Sequence, residues 1–206
     1  IRDIPFTPYP TRLNAACFAV CRKGWCKLNI NLRDYEMREG MLCIILPEQI
    51  VQQGERSDDF SGSFIAVSRD FMDLVIPTMQ QLFPMFFMIK ERPCIAVTAN
   101  ELQAFEEYHS FLWSKVKLKD NPYRKEITQG LLMALCYEIY DIYQGHAVKE
   151  RTPKSRKEDL FERFIRYVYE FYKEERSVSF YADKMFLTPK HLSTVVKEVS
   201  LSLIHI

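Results

Sequence analysis

The chain has 206 residues, 48% of them apolar and 14% aromatic, which excludes a disordered polymer and suffices for one large core or two small ones. A formal charge of only +1 excludes a field that draws nucleic acid to the molecule as a whole, so any basic footprint must be local. The six cysteines, Cys17, Cys21, Cys26, Cys43, Cys94 and Cys136, contain no C-x-x-C pair and follow no apolar leader. They read as reduced, buried thiols of a cytoplasmic protein rather than as a disulfide framework. The longest apolar runs, Met41 to Pro47 and Leu82 to Ile89, fall far short of the ~20 residues a membrane helix needs, so no membrane partner is expected.

From about Leu13 to Val67 the apolar residues recur with period two, as in Lys27-Leu28-Asn29-Ile30-Asn31-Leu32, broken by Arg-Lys-Gly at 22 to 24 and Arg-Glu-Gly at 38 to 40. Short antiparallel strands follow from this, in a small sandwich or barrel. The strip Phe83-Pro84-Met85-Phe86-Phe87-Met88 reads as a buried run, with an effector pocket or a partner surface as the other readings. Asn100 is a candidate cap for a helix in which Leu102, Phe105, His109, Leu112 and Val116 form a seam. Asn121-Pro122 opens a second, with Ile127, Leu131, Leu135, Ile139 and Ile142 on one face and Gly145 near its end. Such a helical hairpin can pack on itself and leave a stripe for a second subunit, so a homodimer is expected.

Lys149 to Lys157 carries five basic residues against one acidic, with Pro153 inside it, and reads as a linker; contact with phosphates explains it equally well. Beyond it Phe161, Phe164, Ile165, Val168 and Tyr172 mark one face of a helix ending near Glu174. Ser177 to Met185 reads as a short helix and Thr188 to Glu198 as the next, with Phe186-Leu187 between them. Thr188 suits the N-cap and Pro189 the first helical position, where its missing N–H costs nothing. Leu192, Val195, Val196 and Val199 bury one side, which leaves Lys190, Ser193, Thr194 and Lys197 on the other. This geometry can place Ser, Thr and Lys in a DNA major groove, although many helical hairpins carry polar outer faces without reading DNA.

The stretch Phe161 to Ser200 resembles the start of an AraC/XylS DNA-binding domain, most closely members from Bacteroides-type bacteria. The resemblance rests on Tyr167, Tyr172, Glu175-Arg176-Ser177-Val178, Tyr181-Ala182-Asp183, Leu187-Thr188-Pro189-Lys190-His191-Leu192-Ser193 and Val196-Lys197-Glu198. It implies a transcription regulator whose second motif helix enters double-stranded DNA, with Lys190, Ser193 and Thr194 toward bases and Thr188 and Lys197 toward phosphate. In that family the domain holds two such units, and the pattern here breaks off before its usual Gly, so weak DNA binding is expected of this chain. The front resembles the family's cupin-like sensor domain through Arg12-Leu13-Asn14, Phe18-Ala19-Val20, Gly24, Asn29-Ile30-Asn31-Leu32, Tyr35, Gly40 and Leu46-Pro47. This implies a small-molecule effector whose identity and binding residues the sequence leaves unknown.

The expected architecture is thus α+β. Residues 1–99 form a cupin-like antiparallel β-barrel or sandwich, 100–146 a helical dimerisation hairpin, 147–158 a basic linker and 159–200 an incomplete all-α helix-turn-helix segment. Residues 201–206, Leu-Ser-Leu-Ile-His-Ile, resemble the translation of a sequencing adapter, and Ile1 in place of an initiator Met suggests native sequence before it.

The competing reading is a cupin-type small-molecule binder or enzyme whose helical tail only mediates assembly. Enzymatic cupins hold a metal with two or three His and a Glu, yet the four histidines, His109, His146, His191 and His205, lie outside the strand region. No Ser/His/Asp arrangement and no Gly-rich phosphate loop is present, so no catalytic residue, metal or cofactor is expected. His109 reads as a packing histidine or a pH-sensitive contact, and Cys17, Cys21 and Cys26 as buried thiols or redox sensors.

Overall fold

Turn chemistry sets the first half of the chain. Gly24 (φ +71°) and Gly40 (φ +74°) close hairpins at the two positions the sequence marks, and a third hairpin turns at Asn31 (φ +50°) and Leu32 (φ +65°). That third turn was hidden inside the period-two run. Asn31 tolerates the left-handed region, and its Oδ1 accepts from the backbone N–H of Ile50 at 2.9 Å, while Leu32 stands 91% exposed at the tip.

In this computed structural model residues 8–75, 82–150, 156–172 and 174–200 are described. The expected adapter segment 201–206 lies outside them. The strands are β1 (Thr11–Arg12), β2 (Ala15–Lys23), β3 (Trp25–Ile30), β4 (Arg33–Arg38), β5 (Met41–Ile45), β6 (Ile50–Arg56), β7 (Ser61–Ser68) and β8 (Cys94–Ala96). The helices are α1 (Arg69–Val75), α2 (Phe83–Glu91), α3 (Ala99–Val116), α4 (Arg124–Glu150), α5 (Arg156–Phe171), α6 (Val178–Lys184) and α7 (Pro189–Ser200). The chain separates into two units, Ile1–Gly145 and His146–Ile206, the division falling within α4.

In the first unit all strand pairs are antiparallel, in two four-stranded sheets ordered β1-β6-β3-β4 and β7-β2-β5-β8. Among the described residues the strands make a two-sheet sandwich and no closed barrel, which decides the barrel-or-sandwich expectation. Cys17, Ala19, Cys21, Cys43 and Ile45 from one sheet meet Cys26, Leu28, Ile30, Met37 and Val51 from the other. The alternate residues of β2 are buried as well, so Ala16 to Cys21 is covered on both faces. No helix among the described residues is long and apolar enough to cross a membrane.

The helices differ from the sequence reading at two points. The cap of α3 is Thr98, not Asn100: Thr98 Oγ1 accepts from Glu101 N–H at 3.3 Å while Glu101 Oε2 accepts from Thr98 N–H at 2.6 Å, a reciprocal capping box. Helix α4 runs through Gly145 to Glu150, and it buries Leu132, Leu135, Cys136, Ile139 and Tyr143. The strip from Phe83 is helix α2, with Met85, Phe86 and Ile89 buried. Ser63 Oγ donates to Glu106 Oε2 at 2.9 Å, joining β7 to α3, and Tyr143 OH donates to Arg92 O at 2.9 Å, fixing α4 against the start of β8.

All six cysteines are free thiols. Ile44 N–H bonds to Pro93 O and Val97 N–H to Gly40 O, so Cys43 faces Cys94 at a non-hydrogen-bonded pair, where side chains approach most closely. Their sulfurs stand 3.0 Å apart. Burial pushes the Cys17, Cys26 and Cys136 thiols up from 9.0 to about 12, because apolar surroundings penalise the thiolate. Since the folded pKa is raised, the stability these groups contribute is complete below pH 9.0 and is lost as pH climbs toward 12. We expect the denaturant midpoint of the first unit to fall across that window, and less steeply in Cys136→Ala; identical slopes would assign the loss to other groups.

Candidate nucleic-acid interface and ligand cleft

The second unit is built around aromatic packing. Tyr181, Ala182, Met185 and Leu192 are its buried centre, and Leu160, Phe164, Tyr167, Val168 and Phe171 of α5 pack on them. The face of α5 toward this centre keeps Phe164 and Val168 of the expected stripe and Phe161 is buried, whereas Tyr172 is half-exposed and the helix ends at Phe171. Phe164 meets Tyr181 edge-on at 5.7 Å and Phe171 meets Phe180 at 5.4 Å, arrangements worth about 0.5–1.5 kcal/mol each beyond burial.

Helix α6 starts at Ser177, whose Oγ accepts from Phe180 N–H at 3.4 Å, and Tyr181 OH donates back to Glu175 O at 2.7 Å. The turn to α7 passes through Phe186 in the left-handed region (φ +57°), its ring 92% exposed. Leu187 N–H closes that turn on Ala182 O at 2.9 Å. A larger residue than Ala182, which is 0% exposed, would hold the two helices apart. Thr188 Oγ1 then accepts from His191 N–H at 3.2 Å, capping α7, an arrangement worth about 1 kcal/mol.

On α7 Leu192 and Val195 are buried and Val196 and Val199 half-buried, while Lys190, Ser193, Thr194 and Lys197 are all exposed. The five residues singled out by sequence therefore share one helix and its cap. Thr194 Oγ1 donates to Lys190 O at 2.9 Å, which leaves its lone pairs outward. Lys190 has no ion-pair partner among the described residues, and the nearest acid along the helix, Glu198, is held by Lys157 at 2.7 Å. His191 is exposed beside this face. Lys184, which the sequence reading left out, lies 4.2 Å over the Phe171 ring and 5.3 Å over Phe180, so its charge is committed to those faces.

The first unit carries a cleft of about 870 Å³. It runs along β7, the edge strand of its sheet, with Ile65 and Val67 in its floor, Phe71 of α1 at one end and Leu112, Trp113 and Val116 of α3 as a wall. Thr128 and Leu132 of α4 close the opposite side. Lys119, Arg124 and Lys125 stand at the rim and His109 is half-buried within; no carboxylate lines the cleft, and the three cations have no ion-pair partner among the described residues. Arg124 and Lys125 sit in the first turn of α4, where the helix macrodipole is already positive and cations cost rather than gain energy.

Comparison with protein-family models finds no match, and comparison with curated proteins finds none either. Solved structures similar to this chain include AraC-like regulators, at low sequence identity. The AraC-like transcriptional activator CuxR is 11% identical with a TM-score of 0.40, the overlap covering 91% of this chain and 62% of that one. Apo ToxT of Vibrio cholerae is 10% identical with a TM-score of 0.43, covering 94% and 88%. ToxT bound to (E)-4-(8-methylnaphthalen-1-yl)but-3-enoic acid is 11% identical with a TM-score of 0.38, covering 93% and 88%. At these values the likeness assigns no function, which must be argued from the residues of this chain.

Those residues fall into two separate sites, one in each unit. The outward face of α7 follows from period 3.6 and a cap, both visible in sequence. The cleft drew no sequence signal, because Val67, Trp113 and Arg124 come together only through the fold. Among the described residues no three His, Cys, Asp or Glu side chains converge as a metal site would require.

Proposed function

We propose that this chain is the sensing part and a DNA-reading element of an AraC-type transcription regulator, in which α7 enters the major groove of double-stranded DNA and the first unit binds a small effector. The observation that carries the reading is a capped helix locked by Leu192 and Val195, with Lys190, Ser193, Thr194 and Lys197 exposed. Lys190, Ser193 and Thr194 face base edges, and Thr188 and Lys197 approach phosphates. Phe111 and Leu118 are exposed apolar residues in and just after α3, outside the cleft and suited to a homodimer contact.

The test is binding of duplex DNA over a range of salt. Affinity should fall steeply as salt rises, because counterions released from phosphates drive it. Lys197→Ala should lower the log–log slope by about 1 on every sequence, whereas Lys190→Ala or Thr194→Ala should relax choice at one base pair by about 1–3 kcal/mol. Binding that ignores salt, or footprints unchanged by all three substitutions, would favour a small-molecule binder whose helices serve only assembly.

A further inference from the structure

We propose that the cleft between β7, α1, α3 and the start of α4 binds a small organic anion: a carboxylate or sulfonate carried on an aromatic or alkyl body. The inference deepens the reading of the first unit as a sensor and rests on it for regulatory meaning, though the binding itself stands on the cleft alone. The volume of about 870 Å³ lies within the usual range for small-molecule sites, which are apolar with a few placed polar groups.

Charge decides which small molecule fits. Ile65, Val67, Phe71, Leu112 and Trp113 offer an apolar and aromatic body site, yet every charged residue lining the cleft is a cation: Lys119, Arg124 and Lys125. A neutral apolar ligand leaves those three charges with no counter-ion among the described residues, and a cationic one adds to their repulsion. An anion with an apolar body satisfies both halves at once, its head between Lys119 and the first turn of α4 and its body against Trp113 and Leu112. Arg124 offers a planar fork that can take a carboxylate through two bonds. The sheet interior offers no comparable room, since Cys17, Leu28, Ile30, Met37 and Ile45 fill it.

The experiment uses the whole chain and anilinonaphthalene sulfonate as a fluorescent probe, displaced by decanoate or by decanol, which share a chain and differ in head-group charge. Decanoate should displace the probe at concentrations about tenfold or more below decanol, the worth of one charge-assisted bond. Lys119→Ala combined with Arg124→Gln should remove that preference while leaving displacement by decanol unchanged, and Trp113→Ala should weaken both. Circular dichroism of each variant separates lost binding from lost folding, and Arg124→Gln alone supplies a milder change should the double variant unfold. Equal displacement by acid and alcohol, or a preference untouched by removing the cations, overturns the proposal. So does sedimentation showing a stable dimer that admits no probe, since the cleft wall is then a subunit contact. Anion-selective binding without salt-dependent DNA binding sinks the regulator alone; DNA binding without anion selectivity sinks only the cleft.

Discussion

Leu192→Ala should unfold the second unit, or nearly so, while the first keeps its own melting transition. Leu192 is fully buried against Tyr181, Ala182 and Met185. Removing a buried leucine side chain costs about 2–5 kcal/mol through lost transfer energy and the cavity left behind. Whole domains are stable by only about 5–15 kcal/mol, and small ones sit at the lower end. The loss is therefore comparable with everything holding α6 against α7. On the proposed function, DNA binding should vanish although Lys190, Ser193, Thr194 and Lys197 are unchanged. Hydrogen exchange would read the outcome: amides from Tyr181 to Met185 should lose protection, while those of β2 and β5 keep theirs. Leu192→Met, which conserves volume, should cost less than about 1.5 kcal/mol. Full protection at Tyr181 in Leu192→Ala would mean that the packing described for α7 is not what holds it.

Gly62→Ala should damage the first unit as severely. Gly62 pairs with Cys21 where the β2–β7 register shifts between Cys21 and Lys23. A Cβ there would overlap the carbonyl oxygen of Val20 and stand 3.3 Å from its carbon. Both are backbone atoms of the central strand, so no rotamer change relieves the overlap and β7 must move off β2. Overpacking in cores costs typically about 1–3 kcal/mol, and a clash with an immobile strand belongs at or above the top of that range. Gly130→Ala is the matched control: nothing lies within 4 Å of its added methyl, and α4 should gain about 0.5–1 kcal/mol from the stiffer residue. Thermal midpoints of the two variants should move in opposite directions. A fall of the same size in both would show that glycine-to-alanine changes act here through something other than strand separation.

What could be read from sequence was local. Gly24 and Gly40 announce their turns because few other residues accept a positive φ, and the face of α7 follows from its spacing and from Thr188-Pro189. Where two local signals competed, spacing alone did not choose between them. Thr98 and Asn100 can each cap a helix, and the glutamate three residues after Thr98 gave it the second bond. Leu32 at positive φ has no sequence signature, since leucine is poor there; the flanking strands and the Asn31 side chain impose it. Helix α5 was legible in part: Phe161, Phe164 and Val168 of the expected stripe are covered, while Leu160, Tyr167 and Phe171 join them only because α6 lies on that side. The cleft could not be read at all, being made of residues from Phe64 to Leu132 in sequence.

Strand β2 belongs to two cores at once, Cys17, Ala19 and Cys21 facing the opposite sheet and Ala16, Phe18 and Val20 turned the other way. An evolving lineage of this fold therefore has no free alternate positions along that strand. Polar replacements should be refused at six neighbouring sites in a row, and the variation that ordinary strands collect on their wet side must accumulate elsewhere, on β4, β6 and the hairpin tip at Leu32.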